Sequence, residues 1–455
     1  MSLRNQKNIL ILWFLVFIMT IFLNLKINSI LFVLTILIPI LINDINNLIE
    51  VVIIILIGTP MLNGKIGAIF TRNGINILDI LILVLFLKVI FVKFFRGEKL
   101  DFKLNLLDYL LGIFFILNFI AFIRGINFYG KFSIEFKNII FMYLLYITLK
   151  IYNFKVGIKR ICDLIFYSVG IYSLCIFLTV IWGFTNKYAL IDYEGRIAIN
   201  ITLLIITIPY YIYKTLNLKE ALINKVLDIF LIFIELYLLY LNQNRTIIIL
   251  TIISIILIFI ISFFDGNRNL YLKIIINIVF IIITLIIIFI VFNYMFKYIQ
   301  PILDRFLDLA NKTGSYGNYL IRVNTINYYI PKIVCDFWGV GWGAPMMMFP
   351  EDGYIVYLNG AIDNYFITLG YKAGMITLII YILILLISYY YIINLSIKRN
   401  QIYKIFIVLF PAIIIALNYF TSQAFHTITT STTVWILLYH FSRYREILSK
   451  GSDES

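Results

Sequence analysis

Apolar runs long enough to cross a lipid bilayer follow one another along most of this chain of 455 residues. A membrane-spanning helix needs about 20 mostly apolar residues, and the runs at 7–23, 75–94 and 271–294 qualify on length alone. The full set lies near 8–23, 29–42, 48–58, 75–94, 106–123, 138–152, 160–183, 197–213, 226–241, 246–264, 271–294, 366–394, 403–420 and 431–443. These runs predict an all-α polytopic membrane protein with about 14 transmembrane helices, or 12 if the short runs near 29–42 and 48–58 form a re-entrant pair.

The composition supports a membrane protein and excludes a soluble globular one. Apolar residues make up 62% of the chain, charged residues 13%, and the mean hydropathy is +1.00, so the chain lacks the polar residues that a water-exposed surface needs. The formal net charge of +14 comes from cations in short connections between apolar runs. That placement indicates membrane orientation, and no nucleic-acid partner is expected. The three cysteines have no metal-ligand spacing, so they predict neither a zinc site nor a disulfide framework.

One long polar segment, from Lys297 to Asn364, interrupts the apolar runs. Loops of this length are usually functional or disordered. This one is rich in aromatic, glycine and charged residues, which indicates a folded segment, and we expect it to supply the external half of an active site. The chain therefore divides into transmembrane helices 1 to 11 over 1–294, an extracytoplasmic loop over 295–365, and transmembrane helices 12 to 14 with a short cytoplasmic tail over 366–455.

Basic residues are distributed unevenly between the two sides of the predicted bundle. Short cytoplasmic connections of membrane proteins are enriched in Lys and Arg, whereas long loops hardly follow this rule. With Arg4 and Lys7 inside and fourteen alternating spans, 22 of the 37 Lys and Arg residues fall on the inner side, and several others lie in or beside the long loop. The bias predicts a multi-pass protein with both termini in the cytoplasm and the long loop facing outward.

Four of the arginines on the predicted outer side are candidates for a ligand site. Arg124 closes the fifth span, Arg196 and Arg245 each open an apolar helix, and Arg322 lies in the long loop. Each of them could simply extend its guanidinium to the lipid headgroups. Alternatively, the five donors of a guanidinium can grip phosphate oxygens in pairs, and a helix N-terminus attracts an anion further. The second explanation predicts a diphosphate ligand at the level of the outer headgroups.

Asp363 lies where the long loop rejoins the membrane, directly before Asn364 and Tyr365. Asp is a preferred N-cap, so a structural role at the start of the next helix would explain it fully. Alternatively, a carboxylate at the hydrocarbon edge beside the arginines could orient or deprotonate a hydroxyl. Both explanations remain open on the sequence.

Two tryptophans and one histidine complete the candidate set. Gly339-Val-Gly-Trp-Gly343 has no strand before it and no Gly-Lys-Ser/Thr after it, so it is not a nucleotide-binding loop. It predicts tight turns beside Trp338 and Trp342, whose ring faces can stack on sugars. His426 lies in the last outward loop, where it is either a surface histidine or a substrate contact.

Three segments, in this order, resemble the O-antigen polymerase and O-antigen ligase superfamily of bacterial envelope polysaccharide assembly. Asn244-Arg-Thr at the start of a long helix resembles the family's Ser-Arg-Gly/Thr element. Arg322, followed by Asp336-Phe-Trp-Gly-Val-Gly-Trp-Gly343, resembles its arginine and P-hydrophobic-G-hydrophobic-G loop. Asp363-Asn-Tyr-Phe, followed eight residues later by Gly374, resembles its (H/D)-N-x-(F/Y/L) start of the next span.

The resemblance implies a GT-C-like membrane glycosyltransferase that polymerises oligosaccharide repeat units carried on undecaprenyl diphosphate, at the outer face of the bacterial cytoplasmic membrane. It implies catalytic roles for Asp363, Arg245 and Arg322. The residues expected to bind diphosphate or sugar are Arg196, Arg124, Asn364, Tyr365, Trp338, Trp342 and His426. Because the leaving group is already a diphosphate whose charge arginines can stabilise, neither a metal nor a cofactor is expected.

The partners implied are a lipid-linked glycan donor, a lipid-linked acceptor, membrane lipids, and a chain-length regulator and a flippase of the same pathway. Ligases of the superfamily usually carry His where this chain has Asp363, which favours a polymerase of O-antigen or capsule. A ligase-type transferase and a lipid-linked oligosaccharide flippase are the alternatives. A flippase would need cations at mid-helix positions in a central cavity and no long outer loop.

Overall fold

The computed structural model describes residues 37–39, 41–59, 71–72, 75–97, 104–130, 134–181, 201–216, 222–242, 245–264, 316–349, 355–357, 364–398, 401–419 and 428–449. Most of these residues are helical. The described segments are therefore predominantly α-helical, as the apolar runs predict.

The helices are numbered here in chain order. Before the long loop they are α1 (Ile45–Gly58), α2 (Ile77–Phe95), α3 (Leu106–Tyr129), α4 (Ile134–Tyr152), α5 (Ile158–Ile181), α6 (Leu204–Leu216), α7 (Leu222–Asn242) and α8 (Arg245–Phe264). They continue as α9 (Tyr316–Cys335), α10 (Tyr365–Ala373), α11 (Met375–Lys398), α12 (Gln401–Tyr419), α13 (Ile428–Ser442) and α14 (Tyr444–Ser449). Strand β1 (Thr71–Arg72) pairs antiparallel with β2 (Ile75–Asn76), and β3 (Met346–Met348) pairs antiparallel with β4 (Ile355–Tyr357).

Reciprocal caps begin two of the helices. The Asn76 side chain accepts from the Leu78 N–H at 3.0 Å, and the Asp79 carboxylate accepts from the Asn76 N–H at 2.8 Å. Asn105 and Asp108 repeat this arrangement at the start of α3. The first N–H groups of a helix have no partner within it, so an Asn followed three residues later by Asp satisfies them and defines where α2 and α3 start.

Apolar side chains cover the outside of the bundle. Ile116 on α3 and Leu386 on α11 are 58% and 59% exposed, and they belong to long apolar surfaces on those helices. Water-soluble proteins rarely expose contiguous apolar surfaces of this kind, whereas a bilayer favours them. Among the described residues, α3, α5 and α11 are each long and apolar enough to cross a membrane, and α1 and parts of α8 and α12 are shorter apolar helices. The chain is therefore an all-α membrane protein.

The prediction of one continuous span over 366–394 is wrong. The chain ends α10 at Ala373 and starts α11 at Met375, with Gly374 between them at φ +97°. This φ lies outside the helical region, and glycine adopts it without the steric penalty that a Cβ brings. The break makes α10 a separate short helix whose last carbonyls are free to bind another segment.

Ion pairs inside the bundle join neighbouring helices. Lys137 on α4 lies 2.6 Å from Asp79 on α2, and Lys150 on α4 lies 2.9 Å from Asp108 on α3, with all four side chains largely buried. Tyr146 also donates a hydrogen bond to Asp108. Charges in an apolar bundle are stable only when paired and hydrogen-bonded, so these contacts fix the positions of α2, α3 and α4 relative to one another.

Candidate functional site

The candidate site centres on residues 336–344, termed here the docked loop, which connects α9 to β3. Asp336 begins it. The Asp336 carboxylate accepts hydrogen bonds from the N–H groups of Trp338 at 3.1 Å and Gly339 at 3.0 Å. This local pattern is a common way for Asp to close a turn, and it turns the chain back from the end of α9 toward the bundle.

The docked loop binds the C-terminal end of α10 through its backbone. Val340 N–H donates to the Tyr371 carbonyl at 3.0 Å, and Gly341 N–H donates to the Lys372 carbonyl at 2.8 Å. The last carbonyls of a helix have no partner within it. The break after Ala373 thus supplies the acceptors that hold the loop.

The same loop also binds the C-terminal half of α3. Trp342 N–H donates to the Ala121 carbonyl at 3.0 Å, and the guanidinium of Arg124 donates to the Gly339 carbonyl. Gly125 faces this contact, and a Cβ on it would overlap the Trp342 carbonyl. The close approach of the two backbones therefore requires glycine at this position of α3.

A second close approach joins the loop to the break between α10 and α11. Gly339 has φ +72°, and a Cβ on it would overlap the Gly374 backbone nitrogen. A Cβ on Gly374 would in turn overlap the Phe337 carbonyl. Two glycines in the left-handed half of φ space thus pack backbone against backbone, and neither position accepts a larger side chain without displacing the loop.

The structure places the two predicted tryptophans in different environments. Trp342 is 1% exposed, and its indole N–H donates to the Asn118 side chain of α3 at 3.1 Å. Trp338 is 51% exposed. The ring of Trp342 is therefore part of the core that anchors the loop, and of the two only Trp338 presents a ring face to a ligand.

A small apolar core supports the outer side of the site. Tyr329 on α9 packs edge-on against Tyr371 of α10 with ring centres 4.7 Å apart, and its hydroxyl accepts from the Met347 N–H of β3 at 2.6 Å. Burial raises the pKa of the Tyr329 hydroxyl, so this group stays neutral and able to hydrogen-bond. These contacts join α9, the β3–β4 hairpin and α10 into one folded unit.

Asn364 and Tyr365 occupy structural positions at the start of α10. Asn364 is the N-cap, and its side chain accepts from the Ile367 N–H at 3.1 Å. Tyr365 is buried, with its ring centre 5.5 Å from that of Tyr381 on α11. Because Asn364 fills the capping position, the alternative explanation of Asp363 as the N-cap of this helix is wrong. Asp363 precedes the cap and itself lies outside the described residues.

Several predicted site residues are not placed by the structure. Arg196 and His426 lie outside the described residues, as Asp363 does. Arg245 is the first residue of α8 and Arg322 lies within α9, but the description of these two positions stops at the backbone. Among the predicted residues, the structure therefore brings together Arg124, Trp338 and Trp342 around the docked loop, with Asn364 and Tyr365 at the other end of α10.

Lys372 is a further residue of this site, for which the sequence predicts no role. Its side chain is fully buried on α10, with Nζ 5.9 Å from the centre of the Trp342 ring. On the sequence it is one more outward cation, eight residues after the polar segment ends at Asn364. Its burial against the loop depends on the helix break at Gly374, which the apolar run conceals.

The geometry brings one guanidinium to the residue that follows an exposed aromatic ring. Arg124 uses one described hydrogen bond on the loop carbonyl, and a guanidinium carries five N–H donors. Lys372 is fully buried beside Trp342, whereas Trp338 is half-exposed on the same loop. A guanidinium can bind an anionic group, and an exposed ring face can stack on a ligand. Within the described residues, no group of three or more His, Cys, Asp or Glu side chains could hold a metal ion.

Comparison with known proteins does not assign this chain to a family. No family model matches the chain, and no curated protein or solved structure matches it either. The functional assignment therefore rests on the residues and on their geometry.

Proposed function

We propose that this protein polymerises oligosaccharide repeat units that are carried on undecaprenyl diphosphate, at the outer face of the bacterial cytoplasmic membrane. A hydroxyl of the acceptor glycan attacks the anomeric carbon of the donor. A new glycosidic bond forms, the bond from that carbon to the diphosphate oxygen breaks, and undecaprenyl diphosphate leaves. Asp363 takes the hydroxyl proton, while Arg245, Arg322 and Arg124 bind the diphosphate and stabilise its charge.

The docked loop is the observation that carries this proposal. It joins Arg124 of α3, a helix long and apolar enough to cross a membrane, to a loop that carries the exposed Trp338. A lipid-linked glycan diphosphate has its charge at the headgroup level and its sugars just outside it. A site for such a substrate needs donors and an aromatic face at that boundary, which Arg124 and Trp338 provide.

We also propose a fourteen-span topology with a GT-C-like architecture, and contacts between helix ends support the alternation of sides in that topology. Arg160 of α5 forms a two-point ion pair with Glu50 of α1, at 3.1 and 2.6 Å, and the sequence puts both on the inner side. Gly339 of the loop contacts Arg124 of α3, and the sequence puts both on the outer side. In both contacts, the two residues are therefore assigned to the same side of the membrane.

Thiol labelling of the native chain tests the topology. Cys335 at the end of α9 is exposed, whereas Cys162 and Cys175 are buried in α5. A membrane-impermeant maleimide added to intact cells should label Cys335, and labelling should disappear in Cys335→Ser. Labelling only after the membrane is opened would place the docked loop inside and contradict the proposed site.

Reconstitution tests the reaction itself. Purified protein in proteoliposomes, supplied with a lipid-linked repeat unit, should yield a ladder of longer glycans and free undecaprenyl diphosphate without added divalent cation. In cells that lack the protein, single repeat units on undecaprenyl diphosphate should accumulate at the outer face. Transfer of the glycan to a different acceptor in place of ladder formation would identify a ligase-type transferase.

One observation favours the flippase as the second candidate. Lys214, Asp228 and Glu235 are buried ionisable residues within packed helices, and ionisable residues inside a membrane bundle often belong to transport pathways. Accumulation of the repeat unit at the inner face of cells that lack the protein would identify a transporter and exclude the polymerase.

A further inference from the structure

A set of ionisable side chains lies inside the bundle, away from the docked loop, where α5, α6 and α7 pack together. Asp228 and Glu235 lie fully buried on one face of α7, while its opposite face exposes apolar residues such as Phe230 and Phe233. This is the reverse of an amphipathic helix in a water-soluble protein. Ionisable residues inside a membrane bundle are costly to retain and usually mark a path for ions or protons.

One end of this set opens to solvent. Lys159, Asp163, Tyr167, Lys214, Asn224 and Leu227 line a cavity of about 360 Å³ at the start of α5. The ammonium of Lys214 lies 2.5 Å from the Tyr167 hydroxyl and 3.4 Å from the Asp163 carboxylate. Tyr167 in turn donates to Asp228 at 3.2 Å. Since Tyr167 accepts from Lys214 and donates to Asp228, hydrogen bonds connect the cavity to the first buried carboxyl.

Glu235 lies seven residues beyond Asp228 on α7, which corresponds to about 10 Å along the helix axis. Its carboxyl contacts the Thr207 hydroxyl at 2.6 Å and the Ser173 hydroxyl at 3.4 Å. Among the described residues, no Lys or Arg pairs with Glu235. A buried carboxylate without a cation is strongly disfavoured, whereas the protonated acid is not.

The hydrogen bonds of Thr207 agree with a protonated Glu235. The Thr207 hydroxyl lies 2.6 Å from the Glu235 carboxyl and 3.4 Å from the Leu203 carbonyl, but it has only one hydrogen to donate. If Glu235 carries a proton and donates it to Thr207, then Thr207 can donate to Leu203. This assignment satisfies both contacts, whereas an ionised Glu235 leaves one of them without a hydrogen.

Tyr211 occupies the interval between the two buried carboxyls. Its hydroxyl donates to the Phe166 carbonyl at 2.6 Å, and a Cβ on Gly170 would come within 2.9 Å of it. Gly170 lies on α5 midway between the residues that contact Asp228 and Glu235. Along α5, polar contacts therefore follow one another from Tyr167 at the cavity, through the Phe166 carbonyl that Tyr211 binds, to Ser173 beside Glu235.

We propose that these residues form a proton path from the cavity to Glu235, and that Glu235 is a site of reversible proton binding. The path, termed the polar column, consists of Asp163, Tyr167, Lys214, Asp228, Tyr211 and Glu235. On loading, a proton from cavity water adds to the Glu235 carboxylate and yields the neutral acid, and no other bond changes. The helices packed most closely against α7 also bring Tyr210 to the path, where it donates to Asp163 at 3.2 Å. The proposal does not depend on glycosyl transfer.

Carbodiimide labelling of the wild-type protein is the first test. Dicyclohexylcarbodiimide partitions into apolar regions and adds to protonated carboxyls, so mass spectrometry should find an adduct on Glu235 whose yield falls as the pH is raised. Glu50 and Glu446, which are paired with Arg160 and Arg443 near the surface, are internal controls and should stay unlabelled. If Glu235 stays unlabelled at every pH while the reagent labels other buried carboxyls, Glu235 is not a protonated site and the proposal is overturned.

Infrared spectroscopy in proteoliposomes tests the path as well as the site. The wild-type protein should show a carboxylic-acid C=O band that is absent in Glu235→Gln and that shifts rapidly in D₂O. Tyr211→Phe should slow this shift by about 10²-fold or more, because a positioned proton-transfer group contributes at least that much. The matched control is Tyr146→Phe, which removes a buried phenol that donates to Asp108 in a different part of the bundle and should leave the shift unchanged.

Two results of that measurement would overturn the proposal. If the C=O band is missing from the wild-type protein, Glu235 is ionised. If the band shifts equally fast in wild type and Tyr211→Phe, or does not exchange in either, the polar column is not a path and Glu235 is a sealed structural acid.

Discussion

The docked loop and the polar column are built from different parts of the chain. The docked loop is held mainly by backbone groups, through N–H donors on helix carbonyls and glycines at the points of closest approach. The polar column is held mainly by side chains, through hydrogen bonds among hydroxyls, a lysine and carboxyls on three helices.

This difference predicts how each region responds to substitution. Where two backbones touch, no side chain can change its rotamer to relieve an overlap. A Cβ added to a glycine at such a point therefore displaces the whole segment. A side-chain contact can be replaced by a group of the same shape with a modest change in free energy. We therefore expect the loop to be intolerant of small changes in volume, and the column to tolerate changes of volume but to be sensitive to its chemistry.

The largest effect is expected at the contact between α3 and the docked loop. Gly125→Val should destabilise the protein by about 3 kcal/mol or more and abolish polymer synthesis, because its Cβ would overlap the Trp342 carbonyl. Gly112→Ala on the same helix is the control, since its Cβ would meet only the Tyr143 hydroxyl at 3.6 Å. Thermal unfolding in detergent and a gel of surface polysaccharide measure the two effects. Equal behaviour of the two variants would mean that the loop does not dock on α3.

A large effect on rate alone is expected at Asp363. Asp363→Asn should lower polymer synthesis by about 10²- to 10⁴-fold, the contribution of a general base. The helix start should be unaffected, because Asn364 is the N-cap. The control is Asn364→Ala, which removes the cap and should cost about 1 kcal/mol of stability with a smaller loss of rate. Near-normal synthesis by Asp363→Asn, measured in proteoliposomes, would remove this residue from the proposed mechanism.

A smaller loss of rate is expected at the arginine that contacts the loop. Arg124→Lys keeps the charge but loses the paired donors, so the rate should fall by about 30- to 1,000-fold, or about 2–4 kcal/mol in the transition state. Arg160→Lys is the matched control, because Arg160 forms a two-point pair with Glu50 and the proposed topology puts both on the inner side. If both variants retain normal rates, Arg124 only positions the loop or reaches the headgroups. The same substitution at Arg245 and Arg322 tests the remaining predicted arginines.

The smallest effect is expected in the polar column. Glu235→Gln should change the free energy of unfolding by less than about 1 kcal/mol, because a neutral amide replaces a neutral acid of the same shape. Asp79→Asn gives the contrast, since it leaves Lys137 buried without its partner carboxylate and should cost about 3–5 kcal/mol. Denaturation in detergent compares the two variants. If Glu235→Gln lowers the free energy of unfolding as much as Asp79→Asn does, then Glu235 is ionised in the folded protein.

The fold follows from local sequence more closely than the site does. The apolar run near 160–183 predicts both ends of α5 to within two residues, and the run near 106–123 predicts the start of α3, which ends six residues later at Tyr129. Hydrophobicity and helix caps act over a few neighbouring positions. The run at 366–394 misleads, because Gly374 lies within it and the apolar character continues across the break. The presence of one glycine in a sequence does not predict that it adopts a positive φ. The conformation of Gly374 depends on its contact with the docked loop.

The candidate site was predictable in its residue types and not in its contacts. The sequence singled out Arg124, Trp338 and Trp342, and the structure brings them to one loop. The sequence offered no reason to separate the two tryptophans, although one is buried and the other is exposed. The sequence predicts no role for Asp228 and Glu235, because two acidic residues in an apolar run do not indicate whether their face of the helix is buried.

Local sequence is enough to predict an all-α membrane protein with one long polar segment, because hydropathy is a property of contiguous residues. Which charges are buried, and where the loop docks, follow from the packing of the helices. Arg124 and Gly339 are 215 positions apart, and Asn118 and Trp342 are 224 positions apart. Contacts over such separations depend on the packing of whole helices, and the sequence near either residue does not encode which helix will pack against it.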